Sequence, residues 1–179
     1  GKLSMTCHES RILVARVCEA SDDIIVDVCV ALARGKYIPA DICVKNIAYS
    51  RPSKLRNVIE AFQEGGVKFN LARAFVCAAV TGDLELCSQL REHSYVGDIQ
   101  RGDYEAAIIA AMADASSAKL VETLFDWVAL DGCYLRMRDV AKRVIYDKSW
   151  PLAPVFARCA RSHGHDMDYD EFAKFICDF

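Results

Sequence analysis

The sequence predicts an all-α chain: a helical-repeat solenoid of about five helix–turn–helix units, closed by a C-terminal half-unit. Three observations predict it. Apolar residues recur at helical spacing along most of the 179 residues. Gly, Pro, Ser and Asp interrupt them where helices would end or begin. The pattern then repeats at intervals of 31 to 34 residues, the mark of a stacked repeat architecture.

The clearest unit is LARAFVCAAVTGDLELCSQLRE, residues 71–92. Leu71, Phe75, Ala78 and Ala79 share one helical face, and Leu84, Leu86, Cys87 and Leu90 share another. Gly82 suits the end of the first helix and Asp83 the cap of the second. Before it, RILVARVCEA and IIVDVCVALAR give two helices around Ser21-Asp22-Asp23, and Gly35 stops the second. Pro39 suits a first helical turn, where its missing N–H costs nothing. ADICVKNIAYS follows and breaks at Arg51-Pro52, and Ser53 is placed to cap KLRNVIEAFQE. A polar connector, HSYVGDIQRGD, leads to YEAAIIAAMADA, then Ser116-Ser117 and AKLVETLFDWV. LRMRDVAKRVIYD and WPLAPVFARCA form the fifth pair. There Pro151 fits a first turn, and Pro154 stands at the limit of what that turn tolerates. YDEFAKFICDF is the terminal half-unit, with Asp168, Asp170 and Glu171 on one side and Phe172, Phe175 and Ile176 on the other.

The register rests on apolar pairs in the second helices: Ile24/Val28, Leu55/Ile59, Leu86/Leu90, Leu120/Leu124 and Leu152/Phe156. Seven residues before each lies Val17, Ala48, Ala79, Ala113 or Ile145, all apolar. Units therefore fall near residues 8–38, 39–69, 70–101, 102–134 and 135–166, with a half-unit at 167–179. Residues 1–7 read as an expression remnant or N-terminal extension, and 8–179 as one repeat domain.

The stretch AAVTGDLELCSQLREHS resembles the core of the ankyrin repeat. Ala78, Ala79, Gly82, Asp83, Leu84, Glu85 and Leu90 carry the likeness. Ala110, Ala111, Leu120, Val121 and Leu124 match more loosely. No unit has the Thr-Pro-Leu-His opening of that family, and the turn glycine is kept only at Gly82. The tetratricopeptide pattern, with its early Trp and Leu-Gly, is not met. The resemblance implies a concave face of inner helices and inter-repeat loops that recognises another protein. Degenerate repeats of this style also occur in pathogen proteins that act inside host cells. A second reading follows: the target-recognition part of a larger enzyme, such as a secreted effector, with its catalytic domain elsewhere.

Composition narrows the classes. A net charge of −3 gives no basic excess for nucleic acid. No apolar run reaches the roughly 18–20 residues a bilayer requires, and no signal peptide is visible. Nine cysteines, an odd number without a C-x-x-C pair, sit mostly in apolar helical runs. They read as small core residues in a reducing, cytoplasmic compartment, the host cytosol for an effector. A monomer is expected.

A third reading, a self-contained enzyme or metal protein, finds little support. Asp166-x-Asp168-x-Asp170 opens like a calcium loop, but Glu171 and Cys177 stand where that loop needs Gly and Glu. Cys159, His163 and His165 offer three zinc ligands with no partner motif. No hydrolase elbow, phosphate loop or zinc-protease motif is present. The reading therefore assigns no catalytic residue, cofactor or metal. What remains is surface. Tyr49, Tyr104, Arg138, Lys142 and Tyr146 lie on first helices, and Arg101, Trp127, Tyr134 and Arg136 at the loops. Lys45, Arg73 and Glu105 belong to the first-helix group, and Tyr37 and Tyr95 to the loops. Tyr, Trp and Arg are the types enriched at interface hot spots. The basic cluster Arg136, Arg138, Lys142 and Arg143, beside Tyr134 and Tyr146, suits an acidic segment of a partner protein.

Overall fold

The computed structural model describes residues 21–22, 24–94, 98–146 and 150–165, without the side chains of Ile145, Tyr146 and Trp150. The expected first helix at RILVARVCEA, Tyr95, the acidic turn and the half-unit lie outside the described residues. Every regular element described is helical, and there is no strand among the described residues.

The helices are α1 (Ile25–Arg34), α2 (Ala40–Ser50), α3 (Leu55–Glu64), α4 (Leu71–Val80), α5 (Leu84–Glu92), α6 (Arg101–Ala111), α7 (Ala118–Leu130), α8 (Met137–Tyr146) and α9 (Ala153–Ser162). Short 3₁₀ turns precede α3, α7 and α9. The ends follow from local chemistry. Asn70 and Asp83 accept the backbone N–H of Arg73 and Leu86, each at 2.9 Å, and so cap α4 and α5. Gly82 between them has φ +72°, a conformation that costs a β-carbon dearly. A β-carbon there would also sit 2.9 Å from the Ser117 hydroxyl.

Four helix ends differ from the sequence reading. Pro39 is the N-cap of α2 rather than part of its first turn, with extended backbone. Ser53 does not cap α3; Pro52–Lys54 form a 3₁₀ turn, and Lys54 takes the cap position without a side-chain bond. Pro151 lies in the 3₁₀ turn Trp150–Leu152, which leaves Pro154 in the first turn of α9. Splitting the segment in this way lets both prolines avoid a helix interior. α6 also begins three residues before the expected Tyr104. Gln100 and Asp103 form a capping box, the Gln100 N–H donating to Asp103 at 2.9 Å.

Helices pair within hairpins, α2 with α3, α4 with α5 and α6 with α7. They also pack in succession: α2 on α4, α4 on α6 and α6 on α8, and likewise α1 on α3 and α7 on α9. One buried register runs through the first helices. Cys43, Ala74, Ala107 and Val140 occupy one position; Val44, Phe75, Ile108 and Ala141 the next; Ile47, Ala78, Ala111 and Val144 a third. All twelve are buried. Met112, not the exposed Ala113, continues the row of Ala48 and Ala79. In α1 the buried pair is Ile25 and Cys29; Ile24 is exposed and Val28 half-buried. Ile24 stands before the first turn, so the helical face starts one residue later. The other four expected second-helix pairs are buried.

Charged groups bridge neighbouring units. Arg51 pairs with Asp22, Arg56 with Asp83 and Glu85, Arg91 with Asp131, and Arg158 with Glu122. The Arg34 guanidinium donates to the Gly65 carbonyl at the C-terminus of α3, at 3.1 Å. Carboxylates also fix the entries to first helices. Asp41 accepts the Asn70 N–H at 2.7 Å, and Glu105 accepts the Arg136 N–H at 2.9 Å.

Phe75 is fully buried between α4 and α6, its ring edge-on to Tyr104 with centroids 5.6 Å apart. Phe75→Ala is expected to cost about 3–5 kcal/mol, measured as a lower urea midpoint.

Candidate interaction surface

The sequence-selected residues divide into three groups. The first is structural. Tyr104, read as a surface residue, is fully buried, a correction that follows from its partners. Its hydroxyl donates to Asp131 and accepts from Arg91 Nε at 3.1 Å. Arg91 also pairs with Asp131, and its guanidinium lies 5.4 Å from the Trp127 ring centroid. Trp127 is half-buried and approaches Phe75 at 6.2 Å between centroids. The four side chains thus tie α5, α6 and α7 together. Burial, and then the hydrogen bond to Asp131, push the Tyr104 hydroxyl well above the ordinary tyrosine value. Sequence periodicity could not reveal this network, because Arg91 and Asp131 meet only through the packing.

The second group spends its charge at home. Glu105 is also buried rather than at the surface. The Arg101 and Arg136 guanidinium groups lie 3.7 and 3.6 Å from it, and Arg136 reaches Asp139 at 3.9 Å. Both arginines are exposed, yet their positive charge is partly neutralised.

The third group faces outward. Tyr49 and Tyr134 are 66% and 64% exposed, so each ring is available to a partner. Arg138, Lys142 and Arg143 are exposed on α8, and Lys45 and Arg73 on α2 and α4. Tyr146 closes α8, and its side chain lies outside the described residues. Tyr37, from the loop set, is exposed as well.

The buried register adds residues that the sequence reading passed over. Two positions after Cys43, Ala74, Ala107 and Val140 stand Lys45, Val76, Ile109 and Lys142. The lysines are exposed, and Val76 and Ile109 are half-buried. One turn further along stand Tyr49, Val80 and Ala113. Lys45 and Arg73 both act on the Cys77 thiol of α4, which places their charges beside that helix. Carrying the repeat from the core to the outer positions would have found Val76 and Ile109.

The candidate zinc ligands Cys159, His163 and His165 lie among the described residues. No cluster of three or more potential metal ligands occurs there. Cys159 is buried in the core. His163 holds the Cys159 carbonyl at 2.9 Å through Nδ1 and Asp126 at 3.1 Å through Nε2. Burial pushes the Cys77 and Cys87 thiols up to about 11 and about 12, and Cys159 up as well. Such thiols are poor nucleophiles at neutral pH. Cys43 is the exception: a hydrogen bond with Cys29 holds it below the ordinary thiol value. No described helix is long and apolar enough to cross a membrane.

No protein-family model matches the chain, and no curated protein or solved structure is significantly similar to it.

Two predictions test these assignments. Tyr104→Phe is expected to destabilise the protein by about 1–2 kcal/mol, read from urea unfolding, because Asp131 loses its hydroxyl donor. The second concerns His165, which is buried beside Phe125 and Tyr134, its Nε2 without a hydrogen-bond partner in the structure. Burial, and then the nearby His163, lower its pKa below 6.5. Below 6.5 the unfolded chain therefore takes up this proton more readily, and stability falls as pH falls. The thermal midpoint should drop with acidification below that value, and His165→Phe should flatten the drop.

Proposed function

We propose that this chain is a protein-recognition module, built as an ankyrin-like solenoid. The packing of α2, α4, α6 and α8 in succession, on a register repeating at 31, 33 and 33 residues, supports the solenoid reading. Stacked hairpins of this kind bury a continuous core that no single hairpin supplies. They also offer a preorganised surface, which lowers the entropic cost of association.

The observation that carries the functional reading is the outward face of these four helices. It presents Lys45, Tyr49, Arg73, Arg138 and Lys142, while the carboxylates of the same helices are held by the chain itself. Tyr49 and Tyr134 supply the aromatic anchors. The partner is another protein that presents an acidic segment. Six cysteines are free among the described residues, five of them buried, which suits a reducing compartment.

The test is an affinity capture with the whole chain as bait. An abundant protein partner is expected, and Arg138→Glu with Lys142→Glu should abolish its capture. The melting temperature is measured alongside, so that loss of capture is separated from loss of fold. Unaltered capture by that double variant would remove the basic-cluster reading.

A further inference from the structure

We propose that the outward face of α2, α4, α6 and α8 receives a protein segment with acidic residues at both ends and apolar residues between. This rests on the protein-recognition reading above and names the chemistry of the partner.

Register carries the argument. Lys45, Val76, Ile109 and Lys142 hold one position on four helices that pack in order. The row therefore reads cation, apolar, apolar, cation across the layer. Tyr49, Val80 and Ala113 repeat the outer-polar, inner-apolar sense one turn along. Neighbouring packed helices lie about 8–10 Å apart, so the two lysines stand roughly 27 Å from each other. An extended segment spans that length in about eight residues.

The acids of these helices each have a partner other than the two lysines. Asp41 accepts from the Asn70 N–H, Asp103 from the Gln100 N–H and Glu105 from the Arg136 N–H, and Asp139 lies beside Arg136. Each carboxylate is turned to a partner within the chain. Arg73, three residues before Val76, adds a further exposed cation.

The apolar centre chooses among anionic occupants. A uniformly charged segment would hold carboxylates over Val76 and Ile109; Arg73 can meet one near Val76, but a charge set against Ile109 is desolvated at a cost. A nucleic-acid strand would do the same with its regular phosphates. A segment charged only at its ends pairs both lysines and covers both apolar side chains.

Fluorescence anisotropy on the whole chain tests this. Three peptides of about twelve residues are compared: acidic ends with a Val/Ile/Leu centre, the same composition with the acids in the centre, and lysine ends with the same apolar centre. A single-stranded RNA of similar length is the fourth probe. The acid-ended peptide should bind about tenfold tighter than its rearranged counterpart, and more weakly as salt rises. Lys45→Glu with Lys142→Glu should lose about tenfold for that peptide and gain affinity for the lysine-ended one. A folding defect cannot produce that exchange of preference. Equal binding of the two acidic peptides, no exchange in the variant, or tighter binding of the RNA would overturn the inference. If the affinity capture yields a partner whose binding ignores Lys45→Glu, this inference fails and protein recognition stands. If it yields no partner, the recognition reading itself fails.

Discussion

The packing of α4 against α6 sets the spacing of everything on either side of it. Ala74, Ala78 and Ala79 meet a layer that contains Ala107 and Ala111, so the backbones can approach closely. Phe75 and the neighbouring Tyr104 ring fill the remaining space edge-on. The same positions on α2 and α8 carry Cys43, Val44, Ile47, Val140, Ala141 and Val144. A shared buried register forces a shared outward register. The surface row of Lys45, Val76, Ile109 and Lys142 is therefore a consequence of core packing as much as of surface sequence.

Polar groups then fix one unit to the next. The N–H groups entering first helices would lack partners where connectors run between packed units. Asp41 and Glu105 satisfy two of them across unit boundaries. At the opposite helix ends, Arg34 reaches the Gly65 carbonyl, and Arg91 gathers Tyr104, Asp131 and Trp127. These contacts are directional, so they specify how hairpins stack where apolar burial alone would tolerate sliding. They also consume charge. Glu105 draws Arg101 and Arg136 inward, which leaves Lys45, Arg73 and Lys142 as the more outward cations.

Much of the element order could be read from residues alone. ADICVKNIAYS coincides with α2, and Gly82 and Asp83 act as the turn and cap that their chemistry suggests. The register slipped by one at Ile24 and at Ala113, both of which stand outside the helices beside them. An apolar residue at such a place looks like a core residue in sequence. Tyr104 illustrates a different loss. Its amphipathic ring reads as surface until Asp131, 27 residues away, supplies an acceptor for its hydroxyl at the edge of the core. The candidate surface was half visible: Tyr49, Arg138 and Lys142 by type, but not Val76 or Ile109, whose importance depends on lying between two lysines.

By itself the sequence determined that the chain is helical and where most of its helices begin and end. Those are local matters of periodicity, capping and proline geometry. Only the tertiary structure decided which charged and aromatic residues remain at the surface. Tyr104, Glu105 and Trp127 went to the interior or its edge, and Lys45, Tyr49 and Lys142 stayed outside. The physical reason is that exposure is set by neighbours distant in sequence. A side chain's own chemistry states what it can bind, and the packing around it decides whether that capacity is spent within the fold.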